Sequence, residues 1–172
     1  MGFVGKGGSL LHVGCAGDPL PEWLGDFKET RLDIDPAMSP DIVASMVDLG
    51  DIGEFDAVFC RHALEHLYPH EVPAALGEFH RVLKPGGFVM VFVPDLEGVS
   101  ATDEVLFDSP SGPICGLDLI YGYRTATTHN PYMQHKTGFV AETLKAAIGK
   151  AGFSRVAVNR LANFDMLGVG VK

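Results

Sequence analysis

Apolar runs of strand length recur along the chain, separated by Gly, Pro and Asp, which is how short buried strands read in sequence. Leu10–Val13 is the first and enters a glycine-containing turn. Glu29–Ile34 is the second and ends in Asp33-Ile34-Asp35-Pro36. Asp41–Ala44 is a short third, and Phe55–Cys60 (FDAVFC) a fourth. Phe88–Val93 (FVMVFV) is apolar at every position, the mark of a strand buried on both faces. Two later stretches change period. Val72, Ala75, Leu76, Phe79 and Leu83 recur at helical spacing within Glu71–Leu83, after which Lys84-Pro85-Gly86-Gly87 is expected to stop the helix and turn the chain. Leu144, Ala147, Ile148 and Ala151 form a second helical stripe within Val140–Ala151, with Gly152 as its stop.

Phe153–Arg160 and Phe164–Val171 are strand-like and joined only by Leu161-Ala162-Asn163, so they should pair antiparallel. Strands alternating with helices before such a hairpin predict an α/β fold. The expected form is a Rossmann-like three-layer sandwich whose mostly parallel seven-stranded sheet closes with a C-terminal antiparallel hairpin. Right-handed crossovers would put a ligand crevice at the carboxyl ends of the parallel strands. Residues 1–172 read as a single domain, with 1–8 as a loose N-terminus. Residues 95–136 read as an irregular loop or lid, with room for a short helix around Leu117–Tyr121.

Charge narrows the choice of partner. The formal net charge is -9, and no Lys/Arg cluster offers the basic face that nucleic acid or an anionic membrane requires. A small molecule, neutral or cationic, is the easier partner. Cys15, Cys60 and Cys115 are scattered and form no CxxC pair, which suits a reducing cytosol rather than a disulfide framework or zinc site. No apolar stretch reaches the length of a membrane span, and the start carries no signal-peptide core. A cytoplasmic monomer or homodimer is expected.

Candidate chemistry lies at the strand ends. In Leu11-His12-Val13-Gly14-Cys15-Ala16-Gly17-Asp18 a strand runs into a small-residue turn, where Gly14 allows close backbone approach and free N–H groups face a ligand. Asp33 ends the next strand, 19 residues beyond Gly14, where a carboxylate can accept hydrogen bonds from both ribose hydroxyls of an adenosine group. In Val47-Asp48-Leu49 an acid could accept from an adenine amine while a neighbouring N–H reaches the ring. His62 follows the fourth strand directly, so a neutral imidazole there could take a proton from a hydroxyl or amine. His62, Glu65 and His66 share one face if helical, and His129 and His135 come later. Together these residues could make a metal site, but HxxxH is too common to signal one by itself, and none is assigned.

FDAVFC, then Arg61-His62-Ala63-Leu64-Glu65-His66-Leu67, then Arg81-Val82-Leu83-Lys84-Pro85-Gly86-Gly87 make a spaced set. In it the chain resembles the class I S-adenosylmethionine-dependent methyltransferases, especially a small group with EHL after strand four and RVLKPGG before strand five. The resemblance covers Leu10–Pro94. It implies S-adenosylmethionine as cofactor, S-adenosylhomocysteine as product, and methyl transfer to a hydroxyl or amine of a small metabolite or glycan precursor. By the same resemblance Gly14, Cys15 and Ala16 form the turn at the methionine part, Asp33 holds the ribose, and Asp48 and Leu49 frame the adenine. The backbone at Cys60 and Arg61 faces the amino end, and His62 faces the reacting sulfonium. His62 and then His135 are the candidate catalytic bases, and 95–136 becomes an acceptor-side lid dense in polar aromatics.

The chain departs from the group's pattern. His12 stands where many relatives carry an acid, and Ala16 and Asp18 stand where they carry Gly. Asp18–Thr30 is short and holds Pro19 and Pro21, so the usual helix after strand one should be reduced or absent. Those departures keep a non-catalytic cofactor-binding or partner-binding module as the alternative. A nicotinamide-dependent oxidoreductase fits less well, because Asp18 would set an acid against the pyrophosphate.

Overall fold

The computed structural model describes residues 7–172; the expected loose start at 1–8 therefore lies largely outside the described residues. Seven strands form the main sheet: β1 (Gly8–Val13), β2 (Phe27–Asp33), β3 (Ile42–Val43), β4 (Phe55–Arg61), β5 (Leu83–Pro94), β8 (Ser154–Arg160) and β9 (Asp165–Val171). A separate hairpin joins β6 (Val105–Ser109) to β7 (Gly112–Cys115). The sheet order is β3-β2-β1-β4-β5-β9-β8. Neighbours from β3 to β5 pair parallel, and β9 runs antiparallel between β5 and β8.

Alternation along β1 explains the two sides of the sheet. Leu11 and Val13 point to one face with Val58, Cys60, Val89 and Val91, while Leu10 points to the other with Ala57, Phe59 and Met90. The first face carries the helices α1 (Val72–Arg81) and α4 (Ala141–Lys150), which bury Val72, Ala75, Leu76 and Phe79 and, from α4, Leu144 and Ile148. Gly168 and Gly170 on β9 let α4 come close: an added Cβ at Gly168 would stand 2.6 Å from Ile148 Cδ1. On the second face the connection from β1 to β2 supplies a single 3-10 turn, Glu22–Leu24, as its prolines implied. Leu24 is fully buried there against Phe59 and Phe27, with Leu20 beside it.

Two stretches differ from the sequence-based expectation. Helix α1 ends at Arg81, and Lys84-Pro85-Gly86-Gly87 is not a turn between elements; it is the bulged start of β5. Phe55 pairs with Leu83 and Ala57 with Phe88, so the extra residues are expelled opposite Asp56, whose carboxylate takes the Lys84 Nζ at 2.8 Å. Residues 95–136 are less irregular than expected. They hold β6, β7, α2 (Gly116–Tyr121) and α3 (Arg124–Thr127), followed by a 3-10 turn at Pro131–Met133. Among the described residues, no helix is long and apolar enough to cross a membrane.

Candidate functional site

The carboxyl ends of β1, β2 and β4 open into one cleft of about 910 Å³. Its floor is the turn after β1. Gly14 has φ +64°, and an added Cβ would run into the Cβ of Ala63, so only glycine satisfies both backbone and packing. Ala16 also sits in the left-handed region, at φ 42°. Two bonds hold it there: its N–H donates to Asp33 Oδ2 at 2.8 Å, and its carbonyl accepts from Arg31 Nη2 at 2.7 Å. Side chains of β2 thus do what a following helix would otherwise do.

Asp33 is 8% exposed, and its second oxygen accepts the Asp35 N–H at 2.9 Å. Each carboxylate oxygen still has a lone pair free for a hydroxyl. Gly14, Ala16, Asp33, Arg61 and His62 all line the cleft. Cys15 and Cys60 do not: their side chains are buried in the protein, at 1% and 0% exposure, and burial pushes the Cys60 thiol far up. Neither is a reactive thiol, though their backbone remains at the strand ends.

Asp48 and Leu49 also stay out of the cleft. Leu49 is buried and donates its N–H to Glu78 Oε2 at 2.9 Å, while Asp48 accepts from the Gly50 N–H. Ser45 and Met46 reach the cleft in their place, opposite Ile34 and Met38. The chain folds back at a Ser45–Asp48 bridge, which carries the Asp away; the apolar spacing after β3 gave no sign of it.

His62 stands at the other end. It has φ 49°, a strained conformation for a non-glycine residue, and its N–H is fixed to the Phe92 carbonyl at 2.9 Å. The ring is 42% exposed, with Nδ1 3.4 Å from Glu65 Oε1 and Nε2 3.8 Å from Asp165 Oδ2. Burial would lower its pKa, but Glu65 and then Asp165 outweigh it and hold the imidazole above its ordinary value. Asp165 lies 103 residues away, at the start of β9, and no local pattern pointed to it.

His135 is not in the cleft. Its Nδ1 contacts the Leu119 carbonyl at 2.9 Å, and burial lowers its pKa. Its segment is clamped to the turn Leu64–His66: the N–H groups of Lys136 and Thr137 both donate to the Glu65 carbonyl. That clamp brings Asn130, Tyr132, Met133 and Lys136 to the cleft wall, with Lys136 Nζ 4.9 Å from the Tyr68 ring centroid. The tip of the β6–β7 hairpin, Ser109–Ser111, and the segment Pro19–Glu22 complete the mouth.

This geometry agrees with what the chain is similar to. The family described as "Methyltransferase domain" matches residues 11–91. No curated protein sequence matches the chain. Solved structures do, at low identity. A S-adenosylmethionine-dependent methyltransferase from Mesorhizobium loti superposes with a TM-score of 0.69 and 16% identity, over 97% of this chain and 92% of that one. One from Archaeoglobus fulgidus gives 0.61 and 15%, over 95% and 86%. The Burkholderia thailandensis 1,6-didemethyltoxoflavin-N1-methyltransferase, solved with bound 1,6-didemethyltoxoflavin and S-adenosylhomocysteine, gives 0.62 and 13%, over 97% and 72%. The fold is the one these S-adenosylmethionine-dependent methyltransferases share, and the family match covers the part of it from β1 to β5.

Proposed function

We propose that the cleft binds S-adenosylmethionine and that this chain transfers the methyl group to a hydroxyl or amine of a small metabolite or glycan precursor. The observation that carries the reading is Asp33, a buried carboxylate at the end of β2 that fixes the Gly14–Ala16 turn and retains free lone pairs towards the cleft. The residues present fit the cofactor. Asp33 would accept from the ribose hydroxyls. Ile34, Met38 and Met46 offer apolar contact to a flat base, and Ser45 offers it a hydroxyl. Gly14, Ala16 and Arg61 line the end of the cleft that would hold the methionine part. When bound, the cofactor supplies an electrophilic methyl on a sulfonium centre.

The chain's own work is mostly positioning. Tyr68, Asn130, Tyr132 and Lys136 wall the far end of the cleft, where an acceptor would be held behind the methyl group and shielded from water. His62, fixed by its strained backbone, stands there to take up a proton that the acceptor releases. His135 is too far inside to touch an acceptor, so the role of base falls to His62 alone.

Calorimetric titration with S-adenosylhomocysteine tests the cofactor assignment, with NADH as control. Wild type should bind, and Asp33→Asn should bind about 5- to 150-fold more weakly, the equivalent of about 1–3 kcal/mol. Heat with NADH and none with S-adenosylhomocysteine would overturn the assignment. Because Asp33 also holds the turn, the folded state of the variant is checked by circular dichroism before affinity is compared.

A further inference from the structure

Glu65 is the least solvated charged side chain described. It is 1% exposed, and neither carboxylate oxygen has a hydrogen-bond partner among the described residues. An anion in that state needs a cation close by, and the one described ion-pair partner, His62, holds its Nδ1 3.4 Å from Oε1 and leaves Oε2 unpaired. Around it stand imidazoles: one ligand atom each from Glu65, His66 and His135 lies within 4.8 Å of the others.

His66 sharpens the point. Its Nδ1 faces the Gln134 carbonyl and its Nε2 the His62 carbonyl, both at 3.1 Å. A neutral imidazole has one N–H, so it satisfies one of these contacts and turns a lone pair on the other. Releasing one carbonyl frees that nitrogen for a cation. His135 has Nδ1 on the Leu119 carbonyl, which leaves Nε2 as donor to a metal and fixes the ring, the usual outer-shell arrangement for a metal-bound histidine. The scaffold is firm, because two backbone N–H groups from the His135 segment donate to the Glu65 carbonyl.

We propose that Glu65, His66 and His135 form a divalent transition-metal site. Two imidazole nitrogens and one carboxylate suit Zn²⁺ or Mn²⁺, and three protein ligands leave coordination positions open. Of the three, His66 also lines the cleft, while Glu65 and His135 lie behind its wall. His66 and His135 stand 69 residues apart in the chain, and it is the fold that sets them beside Glu65. This proposal does not depend on the identity of the cofactor.

The test is calorimetric titration of the metal-stripped full chain with Zn²⁺, and separately with Mn²⁺, followed by free-ion counting by electron paramagnetic resonance for Mn²⁺. One equivalent of either should bind. Glu65→Gln and His135→Ala should weaken it at least tenfold, and His70→Ala, an exposed histidine outside the cluster, should leave it unchanged. A metal-dependent rise in the melting temperature of wild type gives a second readout that needs no variant. Absence of stoichiometric binding by both ions, or binding indifferent to Glu65→Gln and His135→Ala, would overturn the proposal.

Discussion

Asp118 offers the sharpest stability prediction. It is 8% exposed and its carboxylate accepts four contacts: the Cys115 N–H at 3.1 Å, the Cys115 thiol at 2.9 Å, the Arg124 N–H at 3.2 Å and Arg124 Nε at 3.0 Å. Burial alone would raise its pKa; the hydrogen bonds from Cys115 and Arg124 outweigh it and bring the carboxyl from 3.8 down to about 2. A drop of that size corresponds to about 2.5 kcal/mol of folding stability. The folded-state pKa is depressed, so the contribution is complete above the unfolded value and fades as pH falls towards about 2. By linkage about half of it is gone at pH 3. Asp118→Asn should therefore lose about 2–3 kcal/mol at pH 7 in urea unfolding. The gap to wild type should hold at pH 5 and narrow towards pH 3. Because Asp118 ties the β6–β7 hairpin to α3, hydrogen exchange at the Cys115 and Arg124 amides should quicken in the variant. A gap under about 0.5 kcal/mol at pH 7, or one of constant size down to pH 3, would refute the reasoning.

Gly14→Ala should cost about 2–4 kcal/mol, from left-handed strain plus overpacking against Ala63, and should abolish S-adenosylhomocysteine binding in calorimetry. Adding Ala63→Gly should restore part of the stability, since it removes the packing conflict but not the strain. His12 is buried, and burial lowers its pKa in spite of Glu29. Its contribution is full above the unfolded pKa of about 6.5 and falls as pH drops below it; His12→Gln should flatten wild type's loss of melting temperature between pH 7 and 5. Gly168→Ala should destabilise by about 1–3 kcal/mol by pressing on Ile148, and Ile148→Val beside it should recover part of that loss in urea unfolding.

The strands were legible because burial writes itself into apolar runs: FVMVFV lies in β5 between two paired neighbours, and the hairpin of β8 and β9 followed from the short link. The reduced first crossover was legible in Pro19 and Pro21. The bulge at Lys84–Gly87 was not, since a Pro-Gly-Gly run reads alike as a turn or as an expelled strand segment, and only the pairing of Asp56's neighbours decides. Asp33, Gly14 and His62 reach the cleft as strand-end logic implied, because chain direction alone places them. Asp48 and His135 fail on folds that local pattern does not encode: a tight reversal at Ser45 and a clamp on the Glu65 carbonyl.

The single 3-10 turn at Glu22–Leu24 has a consequence for selectivity. A full helix after β1 would aim the positive end of its aligned peptides at the cleft and welcome phosphate. Here no such pole exists, and the rim is edged by Asp18, Glu22, Asp35 and Glu71 against Arg61 and Lys136. Cellular nucleotides share an adenosine with the proposed cofactor but carry their charge with the opposite sign. Repulsion at this rim would weigh against an anionic triphosphate, while a sulfonium cation would enter without that penalty.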